Sequence, residues 1–388
     1  MMLRAFIAAA LFAQAVAARC DASNTASTNF QDIVVNAGPA NNYINGAFTT
    51  VTVCVPGQST CQTIDGVLVD TGSTGVRILA NRLAGLALSP QTDASGGTIA
   101  ECAQFADGFT WGPVVTADVR LGGEQASGIA IQSIGASAFG VPADCANTGT
   151  EEDTLTALGA NGVLGVGPFA EDCGPACTFA GASNPGIYYT CRSGICTATT
   201  QALARQVQHP VRKFATDNNG VSIQLPSIAA GGAATVSGMI RFGIGTQGNN
   251  GLGSATVLTL DPAGNFTTIY AGQSYGSSYI DSGSNGIFFL DAATTSLPMC
   301  RVNTDFYCPL VPQTFAATNQ GINGATSPVT FTVVSVDTLS NTINASSGVA
   351  GPNPGSFDWG LAFFYGRTVF TAIEGQSTPG GTGPYFAY

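Results

Sequence analysis

The chain has 388 residues, which is long for a single hydrophobic core and favours two lobes. Charged side chains make up only 9 %, against about 25 % in typical soluble domains. With 12 basic and 23 acidic residues, a net charge of −11 and no basic stripe, the composition excludes a nucleic-acid-binding protein. Short runs rich in Val, Ile, Thr, Phe and Tyr, separated by Gly and Pro, indicate short strands joined by turns.

The first residues have the pattern of a secretory signal peptide. Arg4 supplies the positive start, Ala5–Ala13 the apolar core, and Ala15-Val16-Ala17 the small-residue cleavage site. The apolar run is too short to span a bilayer, so we expect an exported protein, extracellular or periplasmic. Lipid anchoring through Cys20 is the less favoured alternative, because Arg19 stands where a lipoprotein signal needs a small residue.

After the signal peptide at residues 1–18, the chain divides into three segments. Residues 19–44 are rich in Asn, Ser and Thr, and we predict a flexible lead-in. Strand-like runs then fill an N-terminal lobe over 45–228 and a C-terminal lobe over 229–388, which begins with the Gly/Ala-rich stretch Ala229–Ala234. No long segment has a helical period, so we predict an all-β protein with minor helix.

One acidic turn occurs in each half of the chain, as VLVDTGSTGV at residues 67–76 and as SYIDSGSNGI at residues 278–287. In both copies an apolar strand runs into Asp, a hydroxyl residue, Gly and Ser. The Gly lets backbone pass close to the carboxylate, and the hydroxyls can donate hydrogen bonds to it. A single copy is typical of a strand-ending turn. Two copies in corresponding places predict that Asp70 and Asp281 meet across a cleft.

Two facing carboxylates have a definite chemistry. At a separation of about 3 Å and an effective dielectric of about 20, they would repel by about 5 kcal/mol, so they share one proton. The ionised partner can act as a base on a bound water, and the protonated partner can polarise a carbonyl group. That combination is general acid–base hydrolysis without a covalent intermediate.

Three further segments, in this order, accompany the two turns. GVLGVG at Gly162–Gly167 resembles the strand that braces the first aspartate turn of pepsins, and IRFGIGTQGNNG at Ile240–Gly251 is similar to the strand and turn that open their second lobe. WGLAFFYGRTVFTAI at Trp359–Ile373 is similar to the pepsin Trp-x-Leu-Gly-x-x-Phe-x-Arg segment. From about Phe48 to its last residue, the chain therefore resembles pepsin-like aspartic peptidases. It is especially similar to a bacterial group of exported pepsin-like proteins known as a domain of unknown function.

This resemblance implies a bilobal, pepsin-like aspartic protease fold whose two β lobes are related by a pseudo-two-fold axis. Asp70 and Asp281 would form the catalytic dyad, an arrangement for which aspartic proteases are the known example. The cleft would bind an extended peptide or protein substrate by strand-like pairing. The remaining turn residues would support the dyad across the lobe junction and at the outer carboxylate oxygens: Thr71, Gly72, Ser73, Ser282, Gly283 and Ser284.

Three positions depart from the pepsin pattern. Phe105-Ala106-Asp107-Gly108 stands where pepsins have the Tyr-Gly-x-Gly flap tip, and Trp111 is a possible replacement cover for the cleft. Arg77 stands where an aromatic residue is usual, and Ala362 stands at the expected bracing glycine. The substrate-binding residues of the flap are accordingly Phe105, Asp107, Gly108 and Trp111.

The sequence thus supports two functions. The first is an aspartic-type endopeptidase that acts at acid pH. The alternative is a non-catalytic protein that binds a peptide or a polymer on the same scaffold, which the flap and brace substitutions favour. We expect a monomer that needs no cofactor and no metal.

Eleven cysteines are present, and ten remain if Cys20 is set aside, an even number that suits disulfides in an exported chain. Spacing indicates two short pairs and one longer pair: Cys54/Cys61, Cys300/Cys308 and Cys102/Cys145. Four clustered cysteines would form two more bridges of open connectivity: Cys173, Cys177, Cys191 and Cys196. A four-thiolate zinc site is the alternative for this cluster, although its spacings are looser than in usual zinc motifs.

Two other features are interpreted as structural. His209 is the only histidine and precedes Pro210, so we expect a surface loop residue and not part of a Ser/His/Asp site. The acidic run Glu151-Glu152-Asp153 is expected to be a solvated loop, with calcium binding as the minor alternative.

Overall fold

The computed structural model describes residues 29–136 and 139–388. The predicted signal peptide and Cys20 lie outside the described residues. Part of the predicted lead-in is a strand, Phe30–Asn36, so the prediction of a flexible segment over 19–44 is wrong for these residues. Ile33 and Val35 are fully buried and alternate with more exposed neighbours, which is the pattern of a strand with one face on the core.

Most of the regular secondary structure in the described residues is β-strand, as predicted. In the first part of the chain the strands are β1 Phe30–Asn36, β2 Gly46–Cys54, β3 Cys61–Asp70, β4 Thr74–Leu79, β5 Ser89–Pro90, β6 Thr98–Gln104, β7 Gly108–Leu121, β8 Glu124–Ile134, β9 Thr150–Glu151, β10 Gly162–Val166, β11 Tyr188–Arg192, β12 Ile195–Ala198 and β13 Gly220–Leu225. In the second part they are β14 Val236–Phe242, β15 Val257–Thr259, β16 Phe266–Tyr270, β17 Gln273–Ile280, β18 Ile287–Leu290, β19 Gln313–Gln320, β20 Thr326–Val333, β21 Ala350–Gly351, β22 Asn353–Trp359, β23 Arg367–Ala372, β24 Ser377–Thr378, β25 Gly381–Thr382 and β26 Tyr385–Ala387.

The helices in the described part of the chain are single turns. Three are α-helical: α1 Ala143–Ala146, α2 Leu155–Leu158 and α3 Ala292–Thr295. Six are 3₁₀ turns: Ala80–Arg82, Gly174–Thr178, Leu203–Arg205, Val211–Lys213, Val336–Thr338 and Leu361–Phe363. No helix among residues 29–136 and 139–388 is long and apolar enough to cross a membrane.

Strands from both halves of the chain share one sheet. Seventeen strands, β1 to β15 with β23 and β26, form this sheet, and seven others form a second sheet in the order β20-β19-β16-β17-β22-β18-β21. Strand β1 pairs antiparallel with β2 on one side and with β14 on the other, and β13 pairs with both β14 and β23. The two halves are therefore joined by backbone hydrogen bonds, which fixes them relative to one another.

Both acidic turns have the same surroundings. The first turn lies between β3 and β4, and β10 is inserted between these strands, parallel to β3 and antiparallel to β4. The second turn lies between β17 and β18, and β22 is inserted in the same way. Strand β3 enters its turn through Val67, Leu68 and Val69, which alternate between its two faces and are all buried, as expected for a strand covered on both faces. The repeated arrangement brings the two turns to corresponding positions.

Ten cysteines form five disulfides, and each short loop closes locally. The pairs are Cys54–Cys61, Cys102–Cys145, Cys173–Cys177, Cys191–Cys196 and Cys300–Cys308. The structure thus gives the connectivity of the clustered cysteines that the sequence left open. The zinc alternative is wrong, because all four clustered sulfur atoms are in disulfides.

Candidate active site

The two acidic turns meet face to face. The Gly72 N–H donates to Asp70 Oδ1 at 2.7 Å and also to Asp281 Oδ1 at 3.0 Å, and the Gly283 N–H donates to Asp281 Oδ1 at 2.7 Å. The inner oxygens of both carboxyl groups therefore share one donor. A Cβ atom on Gly72 would lie 2.5 Å from the Asp281 carboxyl carbon, and one on Gly283 would lie 2.7 Å from Asp70 Oδ1. Only glycine allows this close approach.

Thr71 and Ser282 join the turns by reciprocal hydrogen bonds. The Thr71 N–H donates to Ser282 Oγ at 3.1 Å, and the Ser282 N–H donates to Thr71 Oγ1 at 2.9 Å. Each hydroxyl also donates across the junction to a strand carbonyl, Thr71 to Ile280 and Ser282 to Val69. Both side chains are fully buried or nearly so. This network fixes the distance between the aspartates, because neither turn can move without breaking bonds to the other.

The outer carboxylate oxygens are bound by the serines predicted for this role. The Ser73 hydroxyl donates to Asp70 Oδ2, and Ser284 Oγ lies 3.0 Å from Asp281 Oδ2. Ser284 Oγ also lies 2.6 Å from Oδ2 of Asp358, a third carboxyl that the sequence analysis did not identify. The signal for it was an acidic residue inside the apolar run FDWGLAFF, which is unusual for a core strand.

The site retains protons at a pH where a free aspartate is ionised. Burial raises the pKa of Asp281 well above its usual value, and the negative charges of Asp70 and then Asp358 raise it further. Burial also raises the pKa of Asp358 to about 8, although its hydrogen bond with Ser284 acts in the opposite direction. One carboxyl of the facing pair can therefore donate a proton while the other accepts one.

The bracing glycine of the second half is Gly360, and the expectation that Ala362 replaces it is wrong. A Cβ atom at Gly360 would lie 2.0 Å from the Gly286 carbonyl oxygen and 2.6 Å from that of Ser284. Ala362 lies two residues further on, buried in a 3₁₀ turn. The sequence motif is two residues out of register: with Gly360 as the bracing glycine, Phe357 and Trp359 occupy its Trp and Leu positions, and the match of Trp359 and Leu361 to the motif is misleading. The brace itself is intact.

The predicted flap is the hairpin formed by β6 and β7, and neighbouring segments of the chain hold it in place. Strand β9 pairs with the start of β7, and the Cys102–Cys145 disulfide ties β6 to helix α1. Phe105 and Asp107 lie at the tip, Asp107 exposed and Phe105 partly so, whereas Gly108 is buried where β7 begins. Strand β9 thus holds the flap near its tip, and the disulfide holds it at β6.

Trp111 does not cover the cleft, which corrects the sequence expectation. Its side chain is 1 % exposed and packs edge-on against Tyr189, with ring centroids 5.3 Å apart. It belongs to a small apolar cluster beneath the flap that also contains the Cys102–Cys145 disulfide. An aromatic residue in an alternating strand gives no sequence signal that distinguishes the inner from the outer face when the register is unknown.

Arg77 lies behind the first acidic turn. Its guanidinium donates to Glu101 at 2.5 Å, to Asp172 at 3.3 Å and to the Thr74 carbonyl at 2.8 Å, and it lies 6.0 Å from the Phe105 ring. Burial raises the pKa of Asp172 well above its usual value, with the neighbouring Glu101 charge adding to the effect. In place of an aromatic side chain, this chain has a buried ionic cluster that links the turn to the flap.

Two side chains expected at the surface are buried. His209 is fully buried, and burial lowers its pKa to about 3. Glu152 is 9 % exposed, and burial together with the charge of Asp107 raises its pKa to about 7. The interpretations of His209 as a loop histidine and of Glu152 as part of a solvated run are therefore wrong.

Tyr43 is a partly buried side chain close to the acidic groups of the site, and no sequence motif marked it. Its ring packs edge-on against Phe48, with centroids 5.5 Å apart. Burial raises the pKa of the Tyr43 hydroxyl, and the charges of Asp107, Asp70 and Asp281 add to the effect, which places this hydroxyl within the field of the site.

A solved structure and a family model resemble this chain. The crystal structure of an aspartic proteinase from Irpex lacteus matches with a TM-score of 0.55 and 15 % sequence identity, over 92 % of this chain and 96 % of that one. At this identity the likeness shows the fold, and the chain has a pepsin-like aspartic proteinase fold. No curated protein matches the chain. Residues 25–388 match the family model described as "Protein of unknown function (DUF3443)", and the chain therefore belongs to that family.

Proposed function

We propose that this protein is an exported aspartic-type endopeptidase that hydrolyses peptide bonds at acid pH. The observation that carries the proposal is the shared Gly72 N–H, which bonds the inner oxygens of Asp70 and Asp281 at once. Two carboxyls in that arrangement stay singly protonated over a wide pH range. Five disulfides support an oxidising compartment outside the cytoplasm.

In the proposed reaction, a water bound between the carboxyl groups attacks the scissile carbonyl. The ionised carboxyl takes a proton from this water, and the protonated carboxyl donates its proton to the carbonyl oxygen. The tetrahedral intermediate then collapses and the C–N bond breaks. The carboxyl that took the water proton donates it to the leaving nitrogen, and the other carboxyl recovers its proton from a hydroxyl of the gem-diol. The buried hydroxyls of Thr71 and Ser282 position both acids but take no part in these transfers.

The proposed substrate is an extended peptide or protein, the ligand class that the fold suggests. An extended peptide can pair with the flap edge as an added strand, a mode of binding that depends on backbone hydrogen bonds and tolerates many side chains. The flap-tip residues Phe105, which is partly exposed, and Asp107, which is exposed, are the proposed contacts with this peptide.

The test is proteolysis of denatured proteins by the mature chain between pH 3 and 7, with and without a statine-type inhibitor. We expect cleavage that the inhibitor blocks and that both Asp70→Asn and Asp281→Asn abolish, because either substitution removes one of the two acids. Asp32→Asn, at an exposed position on β1, is the matched control and should retain full activity.

The features of the flap favour a second candidate function, peptide binding without catalysis. The flap lacks a tyrosine at its tip and is fastened by β9 and the Cys102–Cys145 disulfide. These features favour a peptide-binding protein that does not turn over its ligand. Equal, negligible proteolysis by the wild type and both dyad variants, with retained peptide binding, would support this alternative and contradict the peptidase.

A further inference from the structure

Asp358 stands at a position where the first half of the protein has an apolar residue. In the first half, Leu68 lies two residues before the dyad aspartate and pairs with Val163. In the second half, Tyr279 lies two residues before the dyad aspartate and pairs with Asp358. Val163 and Asp358 are therefore equivalent under the internal symmetry, and both are buried, with 3 % and 4 % exposure. A core valine in one half is replaced by an acid in the other.

The hydrogen bonds of Asp358 indicate its protonation state. Ser284 Oγ lies 2.6 Å from Asp358 Oδ2 and 3.0 Å from Asp281 Oδ2, and a hydroxyl has only one proton to donate. If Ser284 donates to Asp281, then Asp358 must be the donor in the shorter contact. The other oxygen of Asp358, Oδ1, is buried without a hydrogen-bond partner, which disfavours a carboxylate there.

The acids around Asp358 favour its neutral form, and no positive charge among the described residues opposes them. Asp281 and Asp70 approach from the two turns, and Tyr279, which pairs with Asp358 from β17 and whose pKa is raised by burial and by the charge of Asp358, is uncharged. Phe288 of β18, which pairs with Asp358 on the other side, carries no charge. Across residues 29–136 and 139–388, the only ion pairs involve Arg77 and Arg192, so no cation balances a charge on Asp358.

We propose that Asp358 is a positioning residue of the site: in its neutral form it donates to Ser284 and turns that hydroxyl toward Asp281, and the loss of its proton sets the upper pH limit of the dyad. This inference rests on the proposed function. When Asp358 gives up its proton to solvent, the carboxylate becomes the better acceptor and the Ser284 hydroxyl turns to it. Asp281 then loses its outer hydrogen bond and gains a negative neighbour.

The first test does not need activity. Infrared absorption of protonated carboxyl groups, measured from pH 5 to 9 in the wild type and in Asp358→Asn, reports whether this acid is neutral. We expect the variant to lack one carboxylic-acid signal that the wild type keeps near pH 7. Identical spectra would overturn the inference. Ser284→Ala leaves the Asp358 carboxyl in place and should keep the signal. It is the control for a loss of signal caused by misfolding and not by removal of the acid.

The second test is the pH dependence of proteolysis. Asparagine can donate to Ser284 at every pH. In Asp358→Asn, the decline of kcat on the alkaline side should therefore occur about one pH unit higher than in the wild type, with little change in KM. The shift should vanish in the Ser284→Ala background, because the effect passes through that hydroxyl. A shift of equal size in both backgrounds, or no shift, would contradict the role of Ser284 as the link. Asp118→Asn, at a buried acid outside this chain of bonds, is the control and should leave the limb unchanged.

The two tests separate the inference from the proposed function. A wild-type protein that cleaves no substrate but shows the Asp358 signal would refute the peptidase and support the hydrogen-bonded chain. An active wild type whose alkaline limb and infrared signal do not respond to Asp358→Asn would support the peptidase and refute the inference.

Discussion

At the scale of single residues, hydrogen bonds within and between the two acidic turns hold both aspartates in place. The two aspartates, their glycines and the hydroxyls beside them lie where the repeated turn predicts, because a short motif fixes its own local geometry. Asp358 was missed since its role depends on a partner 74 positions away in sequence, Ser284. The sequence also does not identify Gly360 as the bracing glycine, because that role depends on its packing against the backbone of Ser284 and Gly286.

The bracing position can be tested by a matched pair of substitutions. Gly360→Ala should destabilise the protein by about 3 kcal/mol or more, because its Cβ would overlap the Gly286 carbonyl at 2.0 Å. Ala362→Gly should cost only about 1 kcal/mol, for one lost methyl group and added backbone freedom. Thermal or denaturant unfolding measures both. A larger loss of stability for Ala362→Gly than for Gly360→Ala would show that Ala362, and not Gly360, holds the bracing position.

At the scale of elements, the short strands and both acidic turns were predictable, and the pairing of strands was not. Strand β1 contains IVV, a strand-like run, but its polar neighbours led to the prediction of a flexible lead-in. Its main partner, β14, lies about two hundred residues later, and no local pattern records such a pairing. The position of Trp111 beneath the flap depends on the same unknown register.

The fastening of the flap gives a prediction at this scale. Replacing Cys102 and Cys145 by Ser should loosen the hairpin, because the disulfide closes a loop with a sequence separation of 43. We expect faster amide hydrogen exchange at the start of β7 and a stability loss of about 2–4 kcal/mol. The control is the Cys300/Cys308 pair, whose replacement lies in the second half. Unchanged exchange in the flap would show that β9 alone holds it.

At the scale of the whole molecule, the buried acids set the pH dependence of stability. Asp358 has a pKa of about 8 and Glu152 of about 7, and the pKa values of Asp281 and Asp172 are also raised by burial. The native state binds these protons at a higher pH than the unfolded chain does. The free energy of unfolding therefore increases as the pH falls from about 8 towards 4. His209 acts in the opposite direction between about pH 6.5 and 3, because only the unfolded chain is protonated there.

We accordingly expect a higher melting temperature at pH 5 than at pH 8. Asp358→Asn should reduce this slope by up to about 1.4 kcal/mol per pH unit, the most that one group can contribute. Calorimetry at matched ionic strength measures the slope. A melting temperature that is highest at or above pH 7 would contradict the assignment of protons to these buried acids.

The buried state of the sole histidine has one more consequence. Proteins usually owe their buffering near neutrality to imidazole groups. Here the single imidazole, that of His209, does not exchange protons above about pH 4, because its pKa is about 3. Apart from the terminal amine and the Cys20 thiol, acid or base consumed by the folded molecule between pH 6 and 8 must come from carboxyl groups with raised pKa values. A simple potentiometric titration of the native protein would therefore count its hidden acids directly.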